Sequence, residues 1–179
     1  MTDKPKFWFN TELDIAVQLE ELGRQIHADQ SAQNLELRDV WGISTSMTQM
    51  IVAQRVVFQA EWLWFFARVA AGAINIMGDH FKLEEFTKML IGKHQKYGVS
   101  SLTRWREIGV ASRIDQKLAR AQNLIITAHR NPDTITNQDI QKMIFNLGTR
   151  DETLYDTIAD VLGYCVLGHY LSTNPVGQQ

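Results

Sequence analysis

The chain has 179 residues, a net charge of −2 and a pI near 6.2. This size fits one domain, and the charge leaves no basic excess for bulk binding of nucleic acid. Hydrophobic residues make up 45%, which favours a sizeable core over disorder. The single cysteine excludes an intramolecular disulfide, and no apolar signal run opens the sequence. We therefore expect one cytoplasmic domain over residues 1–179.

Helical periodicity dominates the chain, and no alternating strand pattern with hairpin turns interrupts it. In chain order, the pattern predicts helices near 11–29, 46–76, 82–96, 110–129, 136–146 and 149–171, with a loop of at most one helical turn over 30–45. The helix 46–76 is apolar on most of its circumference but carries too many polar side chains for a membrane span. We expect an all-α bundle of about five main helices. The helices within 11–76 have no assigned role beyond the core.

Three threonines mark predicted helix starts. Thr11 and Thr149 each precede an acidic residue three positions later, as in a capping box, and Thr136 can cap the short helix. Familiar catalytic patterns are absent from the sequence: there is no zinc-ligand histidine spacing, no Gly-rich phosphate loop and no Gly-x-Ser-x-Gly elbow. Zinc chemistry and Ser or Cys nucleophiles are therefore not expected.

An acidic stripe marks the last helix. Glu152, Asp156 and Asp160 are spaced four residues apart and would share one face. Their repulsion weakens an isolated helix, and Mg²⁺ or Mn²⁺ would relieve it, because such hard cations bind carboxylate and phosphate oxygens. The alternative is a solvated acidic face on which Glu152 only caps the helix.

A cationic stripe on the preceding helix complements the acidic one. It consists of Arg113, Lys117 and Arg120, with Asn123 and Gln116 beside them. Several cations on one face suit a polyphosphate, and arginine adds a planar fork of donors. The alternative is a salt-bridged pair of helices, in which these cations neutralise Asp156 and Asp160.

Three further charged residues lie among apolar neighbours. Lys93 points toward the apolar stripe of its helix, so its ammonium either snorkels to water or reaches a phosphate. Glu85 lies at the edge of that stripe and is a candidate carboxylate. Glu61, between aromatic residues, is either a buried ion-pair partner or a metal ligand from a neighbouring helix.

Three runs of the second half together resemble a known family. They are Lys96-Tyr-Gly, then Arg113-Ile-Asp-Gln-Lys-Leu-Ala-Arg-Ala-Gln-Asn-Leu, and then Asp151-Glu-Thr-Leu-Tyr-Asp-Thr-Ile-Ala-Asp-Val-Leu-Gly-Tyr. Over about residues 94–170 the chain resembles the nucleotide-modification-associated domain family of phages and bacteria, which is related to MazG-like all-α nucleotide pyrophosphohydrolases. Lys96 stands where that family has an acidic residue, and the chain has no clear copy of the Glu-x-x-Glu pair of MazG-like enzymes.

The resemblance implies hydrolysis of a (deoxy)nucleoside triphosphate to the monophosphate and pyrophosphate, in the nucleotide metabolism of a phage or its host. It implies that Mg²⁺ or Mn²⁺ is held by carboxylates drawn from Asp156, Asp160, Glu152 and Glu61. Glu85 or Glu152 would serve as the base. The phosphates would be bound by Arg113, Lys117, Arg120, Lys93 and Asn123. It also implies a homo-oligomer, a dimer or tetramer. The missing Glu pair leaves two alternatives: a non-catalytic nucleotide-binding module and a helical interaction protein.

Overall fold

A computed structural model describes residues 12–97 and 100–174, with side chains over 15–93 and 104–174. Its elements are α1 (Glu12–Ala28), α2 (Leu37–Val52), α3 (Gln59–Met77), α4 (Leu83–Tyr97), α5 (Ser100–Thr127), α6 (Asn137–Met143), β1 (Gly148–Thr149), β2 (Glu152–Thr153) and α7 (Leu154–Thr173). Single 3₁₀ turns occupy Gln30–Ala32 and Gly78–His80. The prediction of an all-α helix bundle is confirmed. Among the described residues, no helix combines the length and apolarity that crossing a membrane requires.

Helix α7 lies at the centre of the bundle, with α3 and α5 packed along it. Its fully buried apolar side chains include Leu154, Ile158, Val161, Leu162, Cys165 and Val166. The helices α3 and α7 run antiparallel: Gln59 at the start of α3 donates to the carbonyl of Ser172, and the Tyr155 hydroxyl donates to the carbonyl of His80, just after α3. Gly168 permits close packing, since a Cβ there would lie 2.3 Å from the Phe66 ring.

The prediction of one helix over 46–76 is wrong, because the structure contains two. Helix α2 already begins at Leu37, where Glu36 N donates to the Asp39 carboxylate at 2.8 Å in a capping box. The chain leaves helical geometry at Gln54, whose φ is 54°. Helix α3 then starts where the Glu61 carboxylate accepts from Phe58 N at 2.7 Å, which satisfies an amide that a helix start leaves without a partner. The loop expected over 30–45 is therefore mostly helix.

Helix α5 is longer than the predicted 110–129 and is kinked. It begins at Ser100 and contains one non-helical residue, Arg106, with φ 48° and ψ −135°. The Arg106 guanidinium donates to the carbonyl of Leu171 at 2.6 Å and to that of Asn174 at 3.1 Å. These bonds satisfy carbonyls that the end of α7 leaves without helical partners, so the kink ties α5 to the end of α7.

The predicted capping box at Thr149 is also wrong as a helix start. Thr149 Oγ1 does accept from Glu152 N at 3.2 Å, but this bond lies in the turn between β1 and β2. The cap of α7 is Thr153, whose backbone N donates to the Asp156 carboxylate at 2.8 Å while its hydroxyl accepts from Asp156 N. The expected absence of strands fails at this hairpin, which begins at Gly148 with φ 120°.

The other two predicted starts have different outcomes. Thr136 caps α6 by accepting from Asp139 N at 3.2 Å, as expected. Thr11 lies outside the described residues.

Candidate functional site

Five charged side chains from four elements meet beside the first turns of α7, and we call them the charge cluster: Lys93 of α4, Lys117 and Arg120 of α5, Glu152 of β2, and Asp160 of α7. Lys117 lies at its centre. Its Nζ is 2.6 Å from Glu152 Oε1 and 2.8 Å from Asp160 Oδ2. One ammonium thus links two carboxylates that are eight residues apart in the sequence.

The other two cations approach from either side. Lys93 forms an ion pair with Asp160 Oδ1. A terminal nitrogen of Arg120 lies 3.5 Å from Glu152 Oε2 and 3.4 Å from the carbonyl oxygen of the same residue. Arg120 Nε is buried and has no hydrogen-bond partner among the described residues. Three cations therefore face two carboxylates, and one buried guanidinium donor has no acceptor among the described residues.

Partial burial makes these contacts stronger than those of a surface ion pair. The side chains of Lys117 and Asp160 are 23% and 14% exposed. Burial by itself would lower the pKa of Lys117, but its hydrogen bonds to Asp160 and Glu152 outweigh burial, and the pKa lies above its ordinary value. The ammonium is therefore fully charged at neutral pH.

The predicted acidic stripe is only partly assembled. Glu152 lies in β2 rather than on the helix, yet its carboxylate still meets that of Asp160 through Lys117. Asp156 uses one carboxylate oxygen to cap α7, where it accepts from both the backbone N and the hydroxyl of Thr153. The expected neutralisation of Asp160 by the cationic stripe is found, whereas the corresponding contact of Asp156 is replaced by the helix cap.

Of the predicted phosphate-binding side chains, three lie in the charge cluster and two lie outside it. Lys93, Lys117 and Arg120 belong to the charge cluster. Arg113 is exposed and donates to Gln116 Oε1 at 3.2 Å. Asn123 is exposed on α5, one turn beyond Arg120. The Lys93 side chain is 42% exposed, and its ammonium is paired with the Asp160 carboxylate.

The two remaining candidate carboxylates lie outside the cluster. Glu85 is exposed on α4, near enough to Tyr155 that its charge adds to burial in raising the pKa of that phenol. Glu61 caps α3 beside Ser172, at the far end of α7. A helix rises 1.5 Å per residue, so Glu61 is roughly 24 Å from the first turn of α7. The structure therefore does not bring Glu61 to the other candidate ligands.

A divalent cation fits this site only where a bound ligand supplies some of the oxygen atoms that coordinate it. Among the described residues, no three His, Cys, Asp or Glu side chains are grouped closely enough to hold a metal by themselves. Glu152 and Asp160, however, contact the same ammonium, so one cation can already be held between the two carboxylates. Mg²⁺ in proteins is usually held by one or two carboxylates together with substrate phosphates, and this pair suits that mode.

An aromatic group that the sequence pattern does not predict lies on the segment next to the charge cluster. The Phe145 ring is 4.9 Å from that of Tyr155 and 5.0 Å from the His80 imidazole. These three rings come from the segment after α6, from α7 and from the turn after α3. No local periodicity links such positions, so only the tertiary structure reveals the group.

No family model matches the chain, and neither does any curated protein or solved structure. The resemblance over residues 94–170 therefore stays a prediction, and the side-chain geometry of the charge cluster carries the functional proposal.

Proposed function

We propose that the charge cluster binds the phosphates of a (deoxy)nucleoside triphosphate and that, with Mg²⁺ or Mn²⁺, the protein hydrolyses this ligand to the monophosphate and pyrophosphate. The observation that carries the proposal is the convergence of Lys93, Lys117 and Arg120 on one pair of carboxylates. Cations from two helices focused on one point attract a polyanion, and charge-assisted hydrogen bonds to phosphate are among the strongest in proteins.

The chain's own residues would divide the work as follows. Arg120 would donate to phosphate oxygens from the terminal nitrogen that contacts Glu152. Lys117 would move its ammonium from the carboxylates to the phosphates. Glu152 and Asp160 would then hold the divalent cation, which supplies charge neutralisation and an activated water. Glu85 would then accept the proton of that water. Glu152 could take this role only where Asp160 holds the cation without it.

A second candidate function is nucleotide binding without hydrolysis. The contact of Lys117 with both Glu152 and Asp160 favours it, because an ammonium already neutralises the two carboxylates that a metal would otherwise bridge. In this case, the ligand's phosphates would compete with the carboxylates for the lysine and arginine side chains, and no divalent metal ion would be required.

The decisive experiment is a screen for release of pyrophosphate and phosphate from the common NTPs and dNTPs with Mg²⁺ or Mn²⁺, run beside thermal shift with each nucleotide. Release of pyrophosphate that is lost in Asp160→Asn but kept in Lys142→Met supports hydrolysis; Lys142 is an exposed, ion-paired lysine on α6. A nucleotide that raises the melting temperature and stays intact supports binding alone. If no nucleotide is cleaved and none raises the melting temperature, both candidates are eliminated.

A homo-oligomer, dimer or tetramer, is part of the same proposal. Large apolar side chains are exposed around a groove between the α2–α3 connection and the α5 kink, among them Val56 (75%), Trp105 (66%) and Ile108 (48%). Exposed apolar patches of this kind are common at protein interfaces. Light scattering after size exclusion would give twice or four times the 20.5 kDa chain mass. A monomer mass at micromolar concentration would eliminate this part of the proposal.

A further inference from the structure

The aromatic group beside the charge cluster is half open to solvent. Phe145 is 51% exposed, although its ring packs against two neighbouring rings. The Tyr155 ring lies 4.9 Å away at 31°, and the His80 imidazole lies 5.0 Å away at 83°. A large apolar ring that is fixed by aromatic contacts and still presents area to water is a suitable surface for stacking a planar ligand.

Backbone hydrogen bonds attach the segment of this ring to the part of the chain that carries Glu152 of the charge cluster. Tyr155 N donates to the carbonyl of Ile144 at 3.0 Å, and Leu154 N donates to that of Leu147 at 2.7 Å. The segment carrying Phe145 is thereby attached to the first turn of α7. Glu152 of the charge cluster is three residues from Tyr155, so their Cα atoms are at most about 11 Å apart. One short segment therefore carries both an exposed ring and a cluster carboxylate.

We infer that Phe145 stacks the base of the bound nucleotide while the charge cluster holds its phosphates. This inference rests on the proposed function and specifies the class of ligand: a nucleotide carrying its base, rather than a bare inorganic polyphosphate. The supporting geometry is the exposed ring beside Tyr155 and its attachment to the segment that carries Glu152. Stacking tolerates any base, because every base has a π face, so Phe145 contributes affinity more than base selection.

The test compares two ligands that share phosphates and differ in the base. Binding of inorganic tripolyphosphate and of non-hydrolysable α,β-methylene nucleoside triphosphates is measured by calorimetry with Mg²⁺. Base stacking is worth on the order of 10-fold to 100-fold in affinity. We expect the wild-type protein to bind the nucleotides more tightly than tripolyphosphate by that factor. Phe145→Ala should lower nucleotide affinity by the same factor and leave tripolyphosphate binding unchanged, whereas Phe145→Tyr should retain both.

Phe58→Ala is the matched control, since Phe58 is 68% exposed and precedes α3 at the opposite end of the bundle; it should bind both ligands as the wild type does. If tripolyphosphate and nucleotides bind the wild type equally, or if Phe145→Ala weakens both alike, the inference about stacking is overturned while the phosphate site stands. If neither ligand binds the wild type, the proposed function and the inference are both overturned.

Discussion

Replacing Lys117 by methionine removes the central charge of the cluster and keeps the length of the aliphatic stem. Glu152 then keeps its 3.5 Å contacts with Arg120 and with the Thr157 hydroxyl, and Asp160 keeps its ion pair with Lys93. Two partly buried carboxylates lose their common cation and are left facing each other. We expect the folded state to lose stability for this reason.

The size of the loss follows from the burial of Lys117. Exposed ion pairs contribute less than about 1 kcal/mol, whereas removing one partner of a fully buried pair costs about 3–5 kcal/mol. Lys117 is 23% exposed, so we expect Lys117→Met to cost about 2 kcal/mol at pH 7. For a chain of this length, each kcal/mol lowers the melting temperature by about 2–4 °C, which corresponds to a shift of about 4–8 °C.

The pH dependence of this loss has a definite sign. Hydrogen bonds to Asp160 and Glu152 raise the pKa of Lys117 in the folded state despite its burial. Its stabilising contribution is therefore fully present below the unfolded-state pKa, about 10.4, and is lost as the pH rises through the folded-state pKa. The difference between the wild type and Lys117→Met should stay constant from pH 7 to 9 and decrease above pH 10.

The assay is urea unfolding followed by helical circular dichroism, with Lys142→Met as the matched control. Lys142 pairs with Asp139 at 2.9 Å but is 74% exposed, so its removal should leave the midpoint unchanged. Equal midpoints for Lys117→Met and wild type would refute the assignment of Lys117 as the structural link between α5, β2 and α7. An equal loss in both variants would instead indicate a general effect of net charge.

Three further predictions concern the core and the helix ends. Gly168→Ala should lower the free energy of unfolding by about 1–3 kcal/mol, measured by urea titration, because its Cβ would collide with the Phe66 ring; an unchanged midpoint would contradict the packing of α3 on α7. Thr153→Ala should cost about 1 kcal/mol by removing the cap of α7, and a melting temperature equal to the wild type would argue against that cap. Burial lowers the pKa of His169, which is held by Gln25 Oε1 at 3.0 Å. The unfolded state therefore binds a proton at higher pH than the folded state, and the free energy of unfolding should fall as the pH drops below about 6.5. His169→Gln should flatten this dependence between pH 7 and 5. A slope identical to that of the wild type would contradict the lowered pKa of His169.

Much of the candidate site was predictable from the spacing of charges alone. Lys117 and Arg120 are three residues apart on a helix, and residues at that spacing share a face whatever packs against it. Lys93 was expected to reach water or a phosphate, and its ion pair with Asp160 was not predicted from the sequence. Glu61 was predicted to be an ion-pair partner or a metal ligand. Its carboxylate instead takes part in the capping box of α3, a role that a glutamate among aromatic residues can equally have.

The all-α class was determined by the sequence itself, because a period of 3.6 residues is a local property of apolar spacing. The break between α2 and α3, the kink at Arg106 and the start of α7 at Leu154 were decided by the tertiary structure. Apolar residues continue through the break between α2 and α3 at Val56, Val57 and Phe58, and the helices end or bend where individual backbone groups find other partners. Likewise, the pairing of each carboxylate with a particular cation was decided only by packing, since Lys93 and Asp160 are separated by 67 residues and no local pattern connects them.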